Sequence, residues 1–183
     1  MKRYLLLIAL LFMFAVPCEA ANLVYVERET AVAFQDTAGD IALTLNALGD
    51  NEARISARKD IGGTTNAEWY EVRAVIEWDA APIAGETCDI YISTSDGTDP
   101  DGQGGTADAA FAIVNLPNLN RVGSVVAHTA AADTQFTASF ITRITTRYYS
   151  VVVHNNAQTA GDNLQATNDT SWVIVTPIPP EIQ

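Results

Sequence analysis

Basic residues are scarce in this chain of 183 residues. Ten Lys and Arg face 22 Asp and Glu, a formal net charge of −12. Phosphate binding draws on clusters of Lys and Arg, so this balance argues against nucleic acid as a partner. It argues equally against adsorption to an anionic membrane surface. Cysteine is scarcer still, with Cys18 and Cys88 alone. Catalytic signatures are missing as well: there is no HExxH, no G-x-S-x-G elbow and no phosphate-binding glycine loop. Glu71 and Glu77 fall on one strand face but stand ~20 Å apart at about 3.3 Å per residue, too far for a glycosidase pair. His128 and His154 each close a Val-rich strand without the spacing zinc requires. The chain therefore reads as a non-enzyme with no cofactor, calcium aside. Sustained helical periodicity is also lacking; Ala107–Ala112 and Ala130–Asp133 offer one turn each.

The first of the features present is the N-terminus. MKRYLLLIALLFMFAVPCEA has a basic start, an apolar run from Tyr4 to Val16 and a small-residue exit, the pattern of a secretory leader over residues 1–20. The run is short of the ~20 apolar residues a spanning helix needs, so no stable membrane insertion is expected once the leader is removed. Removing Lys2, Arg3 and Glu19 with it leaves 8 basic against 21 acidic residues, a net charge of −13. Cys18 leaves too, so Cys88 has no disulfide partner in the chain and reads as a small buried hydrophobe. Seven of the remaining basic residues are Arg, which suits bidentate pairing with carboxylates.

From there on the pattern has period two. In Glu68–Trp78, Tyr70, Val72, Ala74, Ile76 and Trp78 fall on one face while Glu71, Arg73 and Glu77 fall on the other. Similar segments are Leu23–Glu27, Ala31–Phe34, Ile41–Leu45, Arg54–Ala57, Cys88–Thr94, Val122–His128, Phe136–Thr142, Tyr148–His154 and Trp172–Thr176. Turn residues separate most of them. Nine or ten short strands at this spacing predict an all-β, antiparallel β-sandwich of jelly-roll type. It should form a single domain over 21–176. Residues 177–183, with Pro177, Pro179 and Pro180, should leave the last strand as an extended arm.

The loop Ser95–Asp108 is the most distinctive stretch after the leader. Calcium takes six to eight oxygens, and Asp96, Asp99, Asp101 and Asp108 are the candidate ligands. The competing reading is a solvated connection whose Asp and Gly residues serve turns. Trp69 lies on the polar face of its strand and is the candidate binding residue, since an exposed indole can stack on a sugar ring or enter a subunit contact.

The segments YISTSDGTDPDGQGGTADAA, LPNLNRVGSVVAHTAAADTQFTASF, RYYSVVVHNNA and TPIPPEIQ together resemble small phage structural proteins, encoded among head and tail genes and mostly uncharacterised. The resemblance covers most of residues 22–183 and implies a β-sandwich that decorates a capsid or builds a fibre. It carries no catalytic residues. The leader departs from it, since a coat component assembles in the cytoplasm. Two functions are thus expected. The first is a virion accessory that acts by self-association or by joining a larger protein shell. The alternative is an exported sandwich that binds a glycan or cell-surface polymer, with calcium assisting.

Overall fold

The computed structural model describes residues 30–62, 67–95, 97, 107–167 and 169–179. The expected leader, the expected strand at 23–27 and most of the Asp/Gly loop lie outside them. Ten strands form: β1 (Val32–Phe34), β2 (Glu52–Ile55), β3 (Lys59–Asp60), β4 (Trp69–Glu77), β5 (Thr87–Ser95), β6 (Ala109–Phe111), β7 (Asn120–Val126), β8 (Gln135–Arg143), β9 (Tyr148–Asn156) and β10 (Trp172–Ile178). One sheet has the order β1-β10-β4-β8; the other runs β6-β2-β9-β5-β7, with β3 also on β9. Every strand pairing is antiparallel.

Strands β2 and β3 pair with successive parts of β9, Val152–Asn155 and Tyr148–Tyr149, so they act as one interrupted strand. Setting β6 aside as an addition, the remaining eight strands follow the order 1-8-3-6 in one sheet and 2-7-4-5 in the other. That is the double Greek key of a jelly roll.

The two-residue period decides what lies between the sheets. Tyr70, Val72, Ala74, Ile76 and Trp78 of β4 and its extension are buried, as are Cys88, Ile90 and Ile92 of β5 and Val151 and Val153 of β9. Burial pushes the Cys88 thiol well above its ordinary range. Strands β5 and β9 are buried on both faces, unlike β8, because the chain from β6 through a 3-10 helix (Ile113–Asn118) packs on their outer side. Ala53, Ile55, Tyr91, Phe111, Leu116 and Val152 form a second, smaller core there. This outer layer creates the groove described below.

Four expectations need correction. The Ala107–Ala112 stretch contains a strand rather than a helical turn: Ala109–Phe111 pair with β2, and the helical residues follow them. Ala130–Asp133 makes a tight turn with Asp133 at a φ of 51°. Ile41–Leu45 joins no ladder beyond a bridge from Ile41 to Phe34. The last strand does not end at Thr176, since Pro177 and Ile178 still pair with Tyr70 and Trp69. Strand β1 reaches only Val173–Val175, so β10 is an open edge at Pro177, where a residue without an N–H is tolerated.

Candidate functional site

On the outer face of the larger sheet, register brings polar groups together in an otherwise apolar setting. Asp89 of β5 lies opposite His154 of β9 on one side and Ser124 of β7 on the other. Tyr91, two residues on, lies opposite Arg121. Arg121 and Ser124 are three residues apart, so regular alternation would send them to opposite faces. A bulge prevents this: the register steps from Ile90↔Gly123 to Tyr91↔Arg121 and leaves Val122 unopposed. Both side chains then meet Asp89. Arg121 Nη2 and Ser124 Oγ each donate to Asp89 Oδ1, at 2.9 and 2.5 Å. Arg121 also hydrogen-bonds Tyr91.

The carboxylate is buried while half of the Arg121 side chain faces solvent. His154 is also buried; its Nε2 faces Asn51 Oδ1 at 3.4 Å, and its Nδ1 has no partner. Burial holds the imidazole below its ordinary pKa, opposed by the nearby Asp89 charge. Burial together with Asp89 raises the Tyr91 phenol.

These groups floor an open groove of about 490 Å³, within the ~300–1,000 Å³ range of small-molecule sites. Asp89, Arg121, His154 and Asn156 supply a polar floor; Ile113, Leu116, Pro117 and Leu119, from the 3-10 helix and its exit, supply an apolar wall. Tyr91 lies where the two meet. Among the described lining residues, Asp89 is the only carboxylate.

The residues singled out from sequence lie elsewhere. Asp96, Asp99 and Asp101 lie outside the described residues. Asp108 is described, and its two oxygens are engaged: Arg54 donates from Nε and Nη2 at 2.7 and 2.9 Å, and Thr44 from Oγ1 and its backbone N–H at 2.6 and 3.2 Å. Despite burial, those bonds hold its carboxyl below the ordinary range. Among the described residues, no three His, Cys, Asp or Glu side chains gather as metal ligands. Trp69 is on the outer face of the smaller sheet, 51% exposed, far from the groove in the fold. His128 packs edge-on against Phe136 at 5.0 Å. Among the described residues, the expected Arg–carboxylate pairing is present at Arg54–Asp108, Arg121–Asp89, Arg143–Glu68 and Arg147–Asp60.

Fold and site together define a jelly-roll sandwich with a two-sided groove on one outer face. No known protein family matches the chain, and no curated protein does. Among solved structures it is similar to one described as the EclA C-terminal domain, a sugar-binding protein, at 15% identity and a TM-score of 0.23, over 86% of this chain and 84% of that one. No helix among the described residues is long and apolar enough to cross a membrane.

Proposed function

We propose that this protein is a non-enzymatic carbohydrate-binding module and that the groove on the larger sheet is its site. One observation carries the reading: a polar floor of Asp89, Arg121, His154 and Asn156 faces an apolar wall of Ile113, Leu116, Pro117 and Leu119 across a space of small-ligand size. A sugar ring has the same two-sided character, with hydroxyls at its edge and C–H bonds on its faces. Asp89 Oδ1 is occupied by Arg121 and Ser124, which fixes the carboxylate and leaves Oδ2 to accept from a hydroxyl. The unpartnered Nδ1 of His154 gains a partner when a hydroxyl binds.

A glycan array probed with the purified protein tests this directly. At least one glycan class should bind, and Asp89→Asn or His154→Ala should weaken it tenfold or more. Absence of binding to every glycan, or undiminished binding by both variants, would overturn the reading.

A second reading, assembly into a virion or other protein shell, is favoured by a different observation. Trp69, Ile141 and Ile178 are 51, 68 and 36% exposed on the outer face of the smaller sheet. Register sets Trp69 beside Ile178, and Ile141 lies on the same face opposite Glu71, two pairs along. Exposed apolar groups that cluster suit a subunit contact. Jelly rolls serve viral capsids and lectins alike, so the fold does not choose between the two readings. Concentration-dependent oligomers in sedimentation velocity, with no glycan affinity, would make assembly the better account.

A further inference from the structure

Away from the groove, two buried carboxyl groups meet where the turn before β5 touches the loop after β9. Glu86 is 7% exposed and ties the two segments together. Its Oε2 accepts from the Ile83 N–H at 3.1 Å, and its Oε1 from the N–H groups of Gln158 and Thr159 at 3.2 and 3.1 Å. Asp162 is 6% exposed. Its backbone is held, with its N–H donating to Thr159 O and its carbonyl accepting from Asn155 Nδ2. Of its carboxyl, Oδ2 is buried and meets no donor, while the Ile83 N–H reaches the group and works against its protonation. The side chain also meets the carboxyl of Glu86.

Two carboxylates in contact repel, whereas a carboxylic acid beside a carboxylate makes a strong hydrogen bond. Other charge nearby does not relieve the repulsion. The charged groups that act most on Asp162 are Glu86 and then Asp50, both acidic. Asp50 comes from the turn before β2 and accepts weakly from the Gly161 N–H, at 3.5 Å.

We propose that Asp162 and Glu86 share one proton, and that this proton latches the loop after β9 to the turn before β5. The proton rides on Asp162. Burial, the Glu86 hydrogen bond and the Glu86 charge push its carboxyl up to about 6. Burial also acts to raise Glu86 but is outweighed by hydrogen bonds from Asp162, Thr159, Ile83 and Gln158, which hold it below the ordinary range. The sign follows from linkage. A group whose folded pKa is raised contributes stability that is fully present below its unfolded value, 3.8, and is lost as pH rises through about 6. The latch therefore closes in mildly acid solution and opens toward neutrality.

The decisive experiment compares wild type with Asp162→Asn, whose amide N–H donates to Glu86 at any pH. Thermal midpoints are measured for both full chains at pH 5 and pH 7.5. The other titrating groups, His154 included, are common to both proteins and drop out of the difference. The expected result is similar midpoints at pH 5 and a higher midpoint for D162N at pH 7.5. A difference that does not change with pH would overturn the proposal. A second readout needs only wild type: the Asp162 carboxyl carbon, followed by NMR, should titrate well above the ordinary carboxylate range. Titration within that range would overturn the latch.

Discussion

Asp89 shows how a single polar side chain can be hidden in a pattern. In the run Cys88–Thr94 it is the one charged residue, placed on the outer face of a strand that is buried on both sides. Period two identified that strand, and Cys88 was legible as a core residue. The partners of Asp89 were not legible, because the bulge at Val122 reverses the parity of Arg121 relative to Ser124. A bulge leaves no signature in hydrophobic alternation when the residues around it are small or apolar. The Asp/Gly loop, by contrast, looked more like chemistry, yet its one described acid, Asp108, is bound by Arg54 and Thr44.

Asn155 is a second residue of this hidden kind. It is fully buried; its Oδ1 accepts from Trp78 Nε1 at 3.2 Å, and its Nδ2 faces the carbonyls of Leu48, Gly49 and Asp162 at 3.2, 3.2 and 2.8 Å. Asn155→Ala leaves the indole N–H and these carbonyls short of partners. The expected destabilisation is about 3 kcal/mol or more, from two or more buried groups at about 1–3 kcal/mol each. Urea unfolding checks it, and a loss under 1 kcal/mol would show that water replaces the amide.

Among the elements, the long alternating strands were readable, as was the short β1, whereas β3 and β6 were not. Strand β4 alternates as expected from Trp69 to Ala74, but Val75 and Glu77, expected on the polar face, are buried too; β5, β7, β8, β9 and β10 appear within a few residues of their expected bounds. Strands of two or three residues, β3 and β6, hold too few positions for a period to show. Ala109–Phe111 looked helical by composition, but tertiary pairing with β2 overrides alanine's preference. The misread end of β10 has a similar cause, since only the neighbour's length makes Pro177 acceptable.

The two sheets also meet along an open side, where β7 and β8 are edge strands of different sheets. Phe140 of β8 packs directly over Gly123 of β7, where an added Cβ would overlap the ring. Asn120 Nδ2 donates to Thr142 Oγ1 at 3.0 Å across the same seam. Gly123→Ala should destabilise by about 1–3 kcal/mol, the usual range for overpacking. Equilibrium unfolding of the variant measures it. An unchanged midpoint would mean that the Phe140 ring swings aside freely.

For the whole molecule, composition and spacing carried the class, an acidic antiparallel sandwich of jelly-roll type. The sheet order itself depends on pairings far apart in the chain, such as β5 with β9, which no local pattern encodes. The groove depends on the same long-range events. It exists because the connection from β6 to β7 crosses the outer face of the larger sheet and walls off a row of polar residues contributed by three strands. Two outer faces thus have different characters, one a polar-floored groove and the other a surface carrying Trp69, Ile141 and Ile178. The proposed carbohydrate site uses the first, and the second reading, assembly, would use the second.

Backbone amide NMR separates these faces in one experiment. The ¹⁵N-labelled protein is titrated with a panel of neutral, acidic and amino-sugar oligosaccharides while every amide is followed. Carbohydrate binding in the groove predicts that at least one saccharide shifts the amides of Asp89, Tyr91, Arg121, His154 and Asn156, with those around Trp69 unmoved. If no saccharide moves the groove amides, or if the shifts gather around Trp69 and Ile141 instead, the groove is not the binding site.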